Sequence, residues 1–273
     1  MINKTLSKIV SSCCLTLVSF AADAEPKPSL ELGIGAGALS IPDYRGSAER
    51  QLLGFPIPYV IYRGDRFKVG RSGITGELFK DKRWELDLSL NASPPANSDE
   101  NSRRSGMPDL SPTIELGPKL SYNLGEPVHN VELKLELPVR AVISVDPSDF
   151  QQIGWLAQPG ISLYAPGYFH GWSLGLKAGL LFADQDYHNY YYGVTEQFAT
   201  PERPGFQADS GYSGAMLLAS LRKRYKQYWV GTFMRYDNLN NVVFEDSPLL
   251  EEKDSLMVGV GFAWIFYQSY TPY

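Results

Sequence analysis

The sequence predicts an all-β chain folded as a single antiparallel barrel of about twelve strands (range about 10–14), of the kind that crosses a bilayer. Three observations predict it. Apolar and polar residues alternate strictly over long stretches, as in Trp84-Glu85-Leu86-Asp87-Leu88-Ser89-Leu90-Asn91 and Val131-Glu132-Leu133-Lys134-Leu135-Glu136-Leu137. Period two over such lengths is a strand signal. Apart from the short Arg71–Gly73 region, the connections between these stretches alternate between short and long, as periplasmic turns and external loops do in bacterial outer-membrane barrels. Aromatic residues gather at strand ends: Trp84, Trp172, Trp229 and Trp264 all fall beside short turns, where an interfacial girdle would sit.

The N-terminus comes first. Lys4 and Lys8 form a basic start, Ile9 to Ala21 is largely apolar, and Ala22-Asp23-Ala24 resembles a cleavage site. Residues 1–24 therefore read as a secretory signal peptide, and residues 25–273 as the barrel domain. A lipoprotein reading at Cys13 leaves too short an apolar stretch before the cysteine. Both cysteines, Cys13 and Cys14, leave with the signal, so the mature chain has no disulfide framework. The formal net charge is −5, and losing Lys4, Lys8 and Asp23 makes the remainder more acidic by one. That excludes a typical nucleic-acid binder, which needs a basic face. The mature chain has no apolar run long enough for a membrane-spanning helix.

Strands are expected at 29–40, 52–62, 65–71, 73–79, 83–91, 112–124, 129–145, 152–165, 171–184, 210–223, 227–238 and 254–266. Merging the short third and fourth would scatter long loops over both ends, so an even count is preferred. In the last strand Leu256, Val258, Val260, Phe262, Trp264 and Phe266 share one face, and Gly259, Gly261 and Ala263 the other. The apolar faces turn to lipid. The opposite faces supply Glu85, Asp87, Glu115, Lys119, Glu132, Lys134, Glu136, Arg140 and Lys177 to a polar lumen. Both signs are present, so neighbouring strands are expected to pair them, favouring a filled or narrow lumen. A soluble β-sandwich also alternates but does not require so apolar a second face. Pro56 and Pro58 lie two apart in the second strand and lack the N–H groups that would reach one neighbour, so that ladder should be weak. Pro118, Pro138 and Pro159 add single gaps.

Within Ser40–Tyr62 lies Pro42-Asp43-Tyr44-Arg45-Gly46-Ser47. Proline stops the ladder, Asp43 suits a turn cap, Gly46 supplies positive φ, and Tyr44 sits where a rim aromatic would. This reads as a structural external loop. The longest loop carries Tyr187-His188-Asn189-Tyr190-Tyr191-Tyr192. Its tyrosines Tyr187, Tyr190, Tyr191 and Tyr192 suit either a recognition surface or packing over the barrel mouth. Arg103-Arg104 suit either lipopolysaccharide phosphates or, preferably, solvent. His129, His170 and His188 fall at opposite ends and cannot share a metal. Ser173 lies near His170, but adjacent polar residues in a turn are common, so no Ser/His pair of a hydrolase is evident. No cofactor, metal or catalytic residue is expected.

Several segments in order resemble the MltA-interacting protein/OmpV (MipA/OmpV) family. They are Gly33-Ile34-Gly35-Ala36-Gly37, Pro42 to Ser47, Pro56 with Pro58-Tyr59, and Tyr62 to Phe67. Gly106 to Leu110, Glu115-Leu116-Gly117-Pro118, Tyr191-Tyr192-Gly193-Val194 and Ser247-Pro248-Leu249 follow. Tyr192 replaces the usual phenylalanine. The resemblance implies an outer-membrane barrel in contact with lipid and lipopolysaccharide. Its namesake is a scaffold joining a lytic murein transglycosylase to a murein synthase. It implies no catalytic residues. A small-solute channel is the alternative, and a barrel acyl hydrolase a more distant one.

Overall fold

A computed structural model describes residues 28–63, 67–70, 73–146 and 149–270. The segment read as a signal peptide lies outside the described residues. The strands are β1 (Leu30–Pro42), β2 (Arg50–Arg63), β3 (Phe67–Gly70), β4 (Gly73–Lys80), β5 (Trp84–Ser93), β6 (Thr113–Val128), β7 (Val131–Asp146) and β8 (Asp149–Ala157). They continue with β9 (Gly160–Phe169), β10 (Trp172–Ala183), β11 (Gly211–Tyr225), β12 (Tyr228–Asn238) and β13 (Asp254–Ser269). A helix, α1 (Gln185–Tyr192), lies between β10 and β11.

Apart from β8 and β9, sequential neighbours pair antiparallel, and β13 pairs back onto β1 from Leu30↔Ser269 to Ser40↔Val258. The circuit of pairings is therefore closed, which satisfies strand backbones without water, as hydrocarbon demands. Strands β8 and β9 together form one wall position. Both pair with β7 on one side and β10 on the other, in a common register. The expected eighth strand is thus interrupted at Gln158–Pro159, where proline contributes no amide hydrogen. The expected loop at 146–151 is shortened from both sides, because β7 and β8 run on and pair to Asp146↔Asp149.

Alternation sets the two faces. In β13, Val260, Phe262, Trp264 and Phe266 are exposed, whereas Ala263 and Ile265 are buried. Gly35 faces the latter side, and a Cβ there would meet the Phe262 carbonyl oxygen at 1.9 Å, so β1 and β13 approach as only glycine permits. Trp229 corrects the expected girdle. It pairs opposite Ala263, lies over Gly231 and Gly261, and packs beside Tyr59 within the barrel. Trp84 and Trp264 do face outward. Gly231 on β12 and Gly261 on β13 make the room that this indole fills.

Strand β2 is continuous with β1 from Arg50 to Tyr62 but, among the described residues, pairs with β3 at Tyr62↔Val69 and Arg63↔Lys68 alone. Pro56 and Pro58 lie in the part of β2 that has no β3 partner among the described residues. The turns 81–83, 129–130, 170–171 and 226–227 and both ends of the described chain lie at one end of the barrel. The long connections 43–49, 94–112, 184–210 and 239–253 lie at the other.

Candidate functional site: a capped barrel mouth

The four long connections fold over the mouth and bury a common apolar cluster. It contains Tyr44, Ala96, Leu110, Tyr192, Val194, Leu239, Phe244 and Leu249. Tyr192 stacks on Phe244 at 3.7 Å between ring centres and meets Tyr44 edge-on at 6.0 Å.

The Pro42–Ser47 segment is where these connections meet. Asp43 accepts hydrogen bonds from Gln51 at 2.8 Å and from Asn101 at 2.8 Å. Ser47 Oγ also accepts from Asn101, at 3.0 Å. The Tyr44 hydroxyl donates to the Leu249 carbonyl at 2.7 Å. The Gly46 carbonyl accepts from the Glu251 and Glu252 amides. Gly46 has φ of 89°, and a Cβ there would lie 2.3 Å from a Leu250 methyl. Arg45, whose importance alternation could not reveal, reaches into the mouth. Its guanidinium lies 3.2 Å from Asp237 and donates to the Ser213 carbonyl at 2.5 Å, while its own carbonyl accepts from the Tyr192 hydroxyl at 2.8 Å. Burial would lower the Arg45 value, but the Asp237 carboxylate and the Tyr192 and Tyr187 hydroxyls outweigh it and hold the guanidinium above the usual arginine range. Burial pushes the Tyr44 hydroxyl up, and Glu251 adds to the shift.

Tyrosines 187–192 form α1 rather than an irregular loop, with Asp184 capping it by accepting from the Tyr187 amide at 3.0 Å. The cap was readable in Asp184, but the tyrosine-rich run has modest helix propensity. Tyr187 and Tyr192 are buried, and Tyr190 and Tyr191 half-buried, so these rings pack the mouth. His188 is fully buried. Its Nδ1 bonds the Asp209 carbonyl at 2.7 Å, its ring rests on Phe244, and Nε2 is buried without a hydrogen-bond partner among the described residues. Burial lowers its pKa, with Arg45 adding to that and the Asp209 bond opposing it. Arg104, expected in solvent, is buried. It donates to Ser98 Oγ and to the carbonyls of Pro108 and Tyr191. Arg103 pairs with Glu251 at 3.1 Å.

Below the cap, ion pairs occupy the inner face of β5 to β10. Lys119 lies 3.5 Å from Asp87, Lys134 2.8 Å from Glu85 and 3.7 Å from Glu132, Lys177 2.9 Å from Glu136, and Arg140 2.8 Å from Glu115. Arg140 also donates to Gln158 Oε1 at 2.8 Å. Between this layer and the cap lies a cavity of about 90 Å³, lined by Arg45, Glu115, Arg140, Tyr191, Arg235 and Asp237 among others. Among the described residues, no group of three His, Cys, Asp or Glu side chains is placed to hold a metal ion. His129 and His170 sit in turns at the far end from His188. Ser173 Oγ accepts from the Gly167 amide at 3.2 Å.

Comparison with known proteins gives the same picture of family and location. The model of the family described as MltA-interacting protein MipA matches residues 34–266. The putative outer membrane protein YiaT of Escherichia coli K12 is 25% identical over 244 residues, 86% of this chain and 91% of that protein. Outer membrane protein OmpV of Vibrio cholerae is 28% identical over 216 residues, 75% of this chain and 76% of that protein. Among solved structures, the CymD monoaromatic hydrocarbon channel aligns at 9% identity with a TM-score of 0.39, covering 89% of this chain and 90% of that one. The chain is an outer-membrane protein and belongs to the MltA-interacting protein MipA family.

Proposed function

We propose that this protein is a closed, non-enzymatic outer-membrane barrel that acts as an interaction protein of the cell envelope. The observation that carries the reading is the cap. Four external connections bury an apolar cluster across the mouth, and the cavity beneath it has room for only about three waters. An open pore would leave that level to solvent. The paired charges below hold one another rather than lining a single-signed conduit.

The family description, MltA-interacting protein, supports a murein transglycosylase as a partner, with a murein synthase as a second through the family resemblance. The turns facing the periplasm are short, yet the β6–β7 hairpin projects past the start of β5 at Trp84↔Tyr122 and runs to Val128. Asn130 at its tip bonds the Pro166 carbonyl of β9 at 2.9 Å. This gives a periplasmic partner a braced surface.

Two measurements test the reading together: single-channel recording in planar bilayers and pull-down from crosslinked envelopes. Silent bilayers with co-purified murein enzymes support it. Steady openings without such enzymes overturn it in favour of a small-solute channel.

A further inference from the structure

The lipid-facing wall carries a second feature that the capped mouth does not use. A groove of about 1320 Å³ crosses the outer face from β5 to β12, walled by Trp84, Leu120, Leu135, Ile161, Leu180 and Leu217. Its floor is made of small residues, Gly160, Ala178, Gly179 and Ala215, at and beside the Pro159 interruption. Small side chains set back the wall there, so an apolar face that would otherwise be convex becomes concave.

The periplasmic end of this groove is different in chemistry. Trp84 and Tyr122 meet edge-on with ring centres 4.7 Å apart. Tyr122 also walls a recess of about 450 Å³ with Lys82, Arg83, Asn123, Leu124 and Gly125. Arg83 donates to the Tyr122 hydroxyl at 3.0 Å. Neither Lys82 nor Arg83 is in an ion pair among the described residues, and Asp81 of the same turn pairs with neither. Lys80, Lys119, Lys134, Lys177 and Arg140 each have a carboxylate. Two unneutralised cations and a hydroxyl thus stand at headgroup level, at the mouth of an apolar trough that opens to the acyl region.

We infer that this groove holds one anionic phospholipid of the inner leaflet. Its headgroup sits at Lys82 and Arg83, beside the Tyr122 hydroxyl, and its acyl chains lie along Leu120, Leu135 and Ile161. Charge complementarity selects the occupant. The recess offers positive charge and donors, and the short-turn end of the barrel faces the phospholipid leaflet rather than lipopolysaccharide. The inference is independent of whether the barrel conducts.

Native mass spectrometry of the purified full-length mature protein in detergent tests it, with added phosphatidylglycerol, phosphatidylcholine or lipid A. Wild type should retain one phosphatidylglycerol in preference to phosphatidylcholine. The double variant Lys82→Gln, Arg83→Gln should bind it about thirtyfold more weakly, at roughly fivefold per surface charge. Ala178→Trp, which fills the floor while leaving the cations in place, should also lose it. Unheated gel mobility verifies that each variant is folded. Four outcomes overturn the inference: unchanged retention in the double variant, equal retention of phosphatidylcholine, displacement by lipid A, or a dimer that buries the groove.

Discussion

Replacing Arg45 by alanine should unlock the cap. The Arg45 side chain is 14% exposed and its Asp237 partner 4%. Removing one member of a buried ion pair costs about 3–5 kcal/mol. Here the cost is reduced, because Asp237 keeps a two-pronged bond from Arg235 at 2.7 and 2.8 Å. Roughly half the pair's cost remains, and the Ser213 carbonyl loses its donor for about another 1 kcal/mol. The sum is about 2–4 kcal/mol against the capped state, which raises the open fraction roughly 30- to 1,000-fold. Single-channel recording should then show openings in Arg45→Ala that are rare or absent in wild type. Arg45→Lys should be intermediate, since one ammonium cannot match the guanidinium's spread of donors to Asp237 and Ser213. Recordings in which Arg45→Ala is as silent as wild type, with an unchanged unfolding midpoint, would refute the claim that this arginine locks the mouth.

Three further expectations concern the same molecule. Because burial lowers the His188 pKa, the folded cap binds fewer protons than the unfolded chain below about pH 6.5, so its stability is complete above that value and falls as pH drops. Asp184, Arg45 and the Asp209 carbonyl are the groups acting on the ring, and Nε2 has no acceptor to receive a proton's bond. Near-UV circular dichroism from the tyrosine cluster should therefore weaken as pH falls below about 6.5 in wild type, and a His188→Gln variant with the same dependence would disprove the assignment. Amides of residues 54–60 should exchange faster than those of β7, because Pro56 and Pro58 carry no amide hydrogen and lie where β2 has no β3 partner among the described residues. Uniformly slow exchange would remove that idea. Brominated lipids should quench single-tryptophan proteins retaining Trp84 or Trp264 strongly and one retaining Trp229 weakly. Strong quenching of Trp229 would place it outside the barrel, contrary to its packing over Gly231 and Gly261.

Much of the barrel was legible because a strand between lipid and lumen must alternate, and each residue then declares its side. Glu85, Asp87, Lys119, Lys134 and Lys177 were assigned to the inner face on that rule alone, and the structure pairs each with an opposite charge. Trp229 obeyed it too: it follows the outward Tyr228, and weighting its position near a turn over its parity sent it to the wrong face. Pro159 was visible as a ladder gap, and its consequence, one wall position split into β8 and β9, follows from the missing amide. The mouth was less legible. External connections have no period, so nothing local separates a solvated arginine from Arg104, which is buried against Ser98 and the Pro108 and Tyr191 carbonyls.

By itself the sequence determined much of the wall of this protein: its class, most of its strand spans, and the end that carries the long connections. The physical reason is that membrane crossing constrains every residue through one two-valued choice, repeated along the chain. Only the tertiary structure decided that the Pro42–Ser47 turn, α1 and the 94–112 and 239–253 connections close over one another. Those contacts join residues as far apart as Tyr44 and Leu249, or Arg45 and Ser213, and depend on the barrel first bringing its rims together. The same holds for the outer groove, whose floor of Gly160, Ala178 and Ala215 is unremarkable in each strand and becomes a trough only when the strands lie side by side.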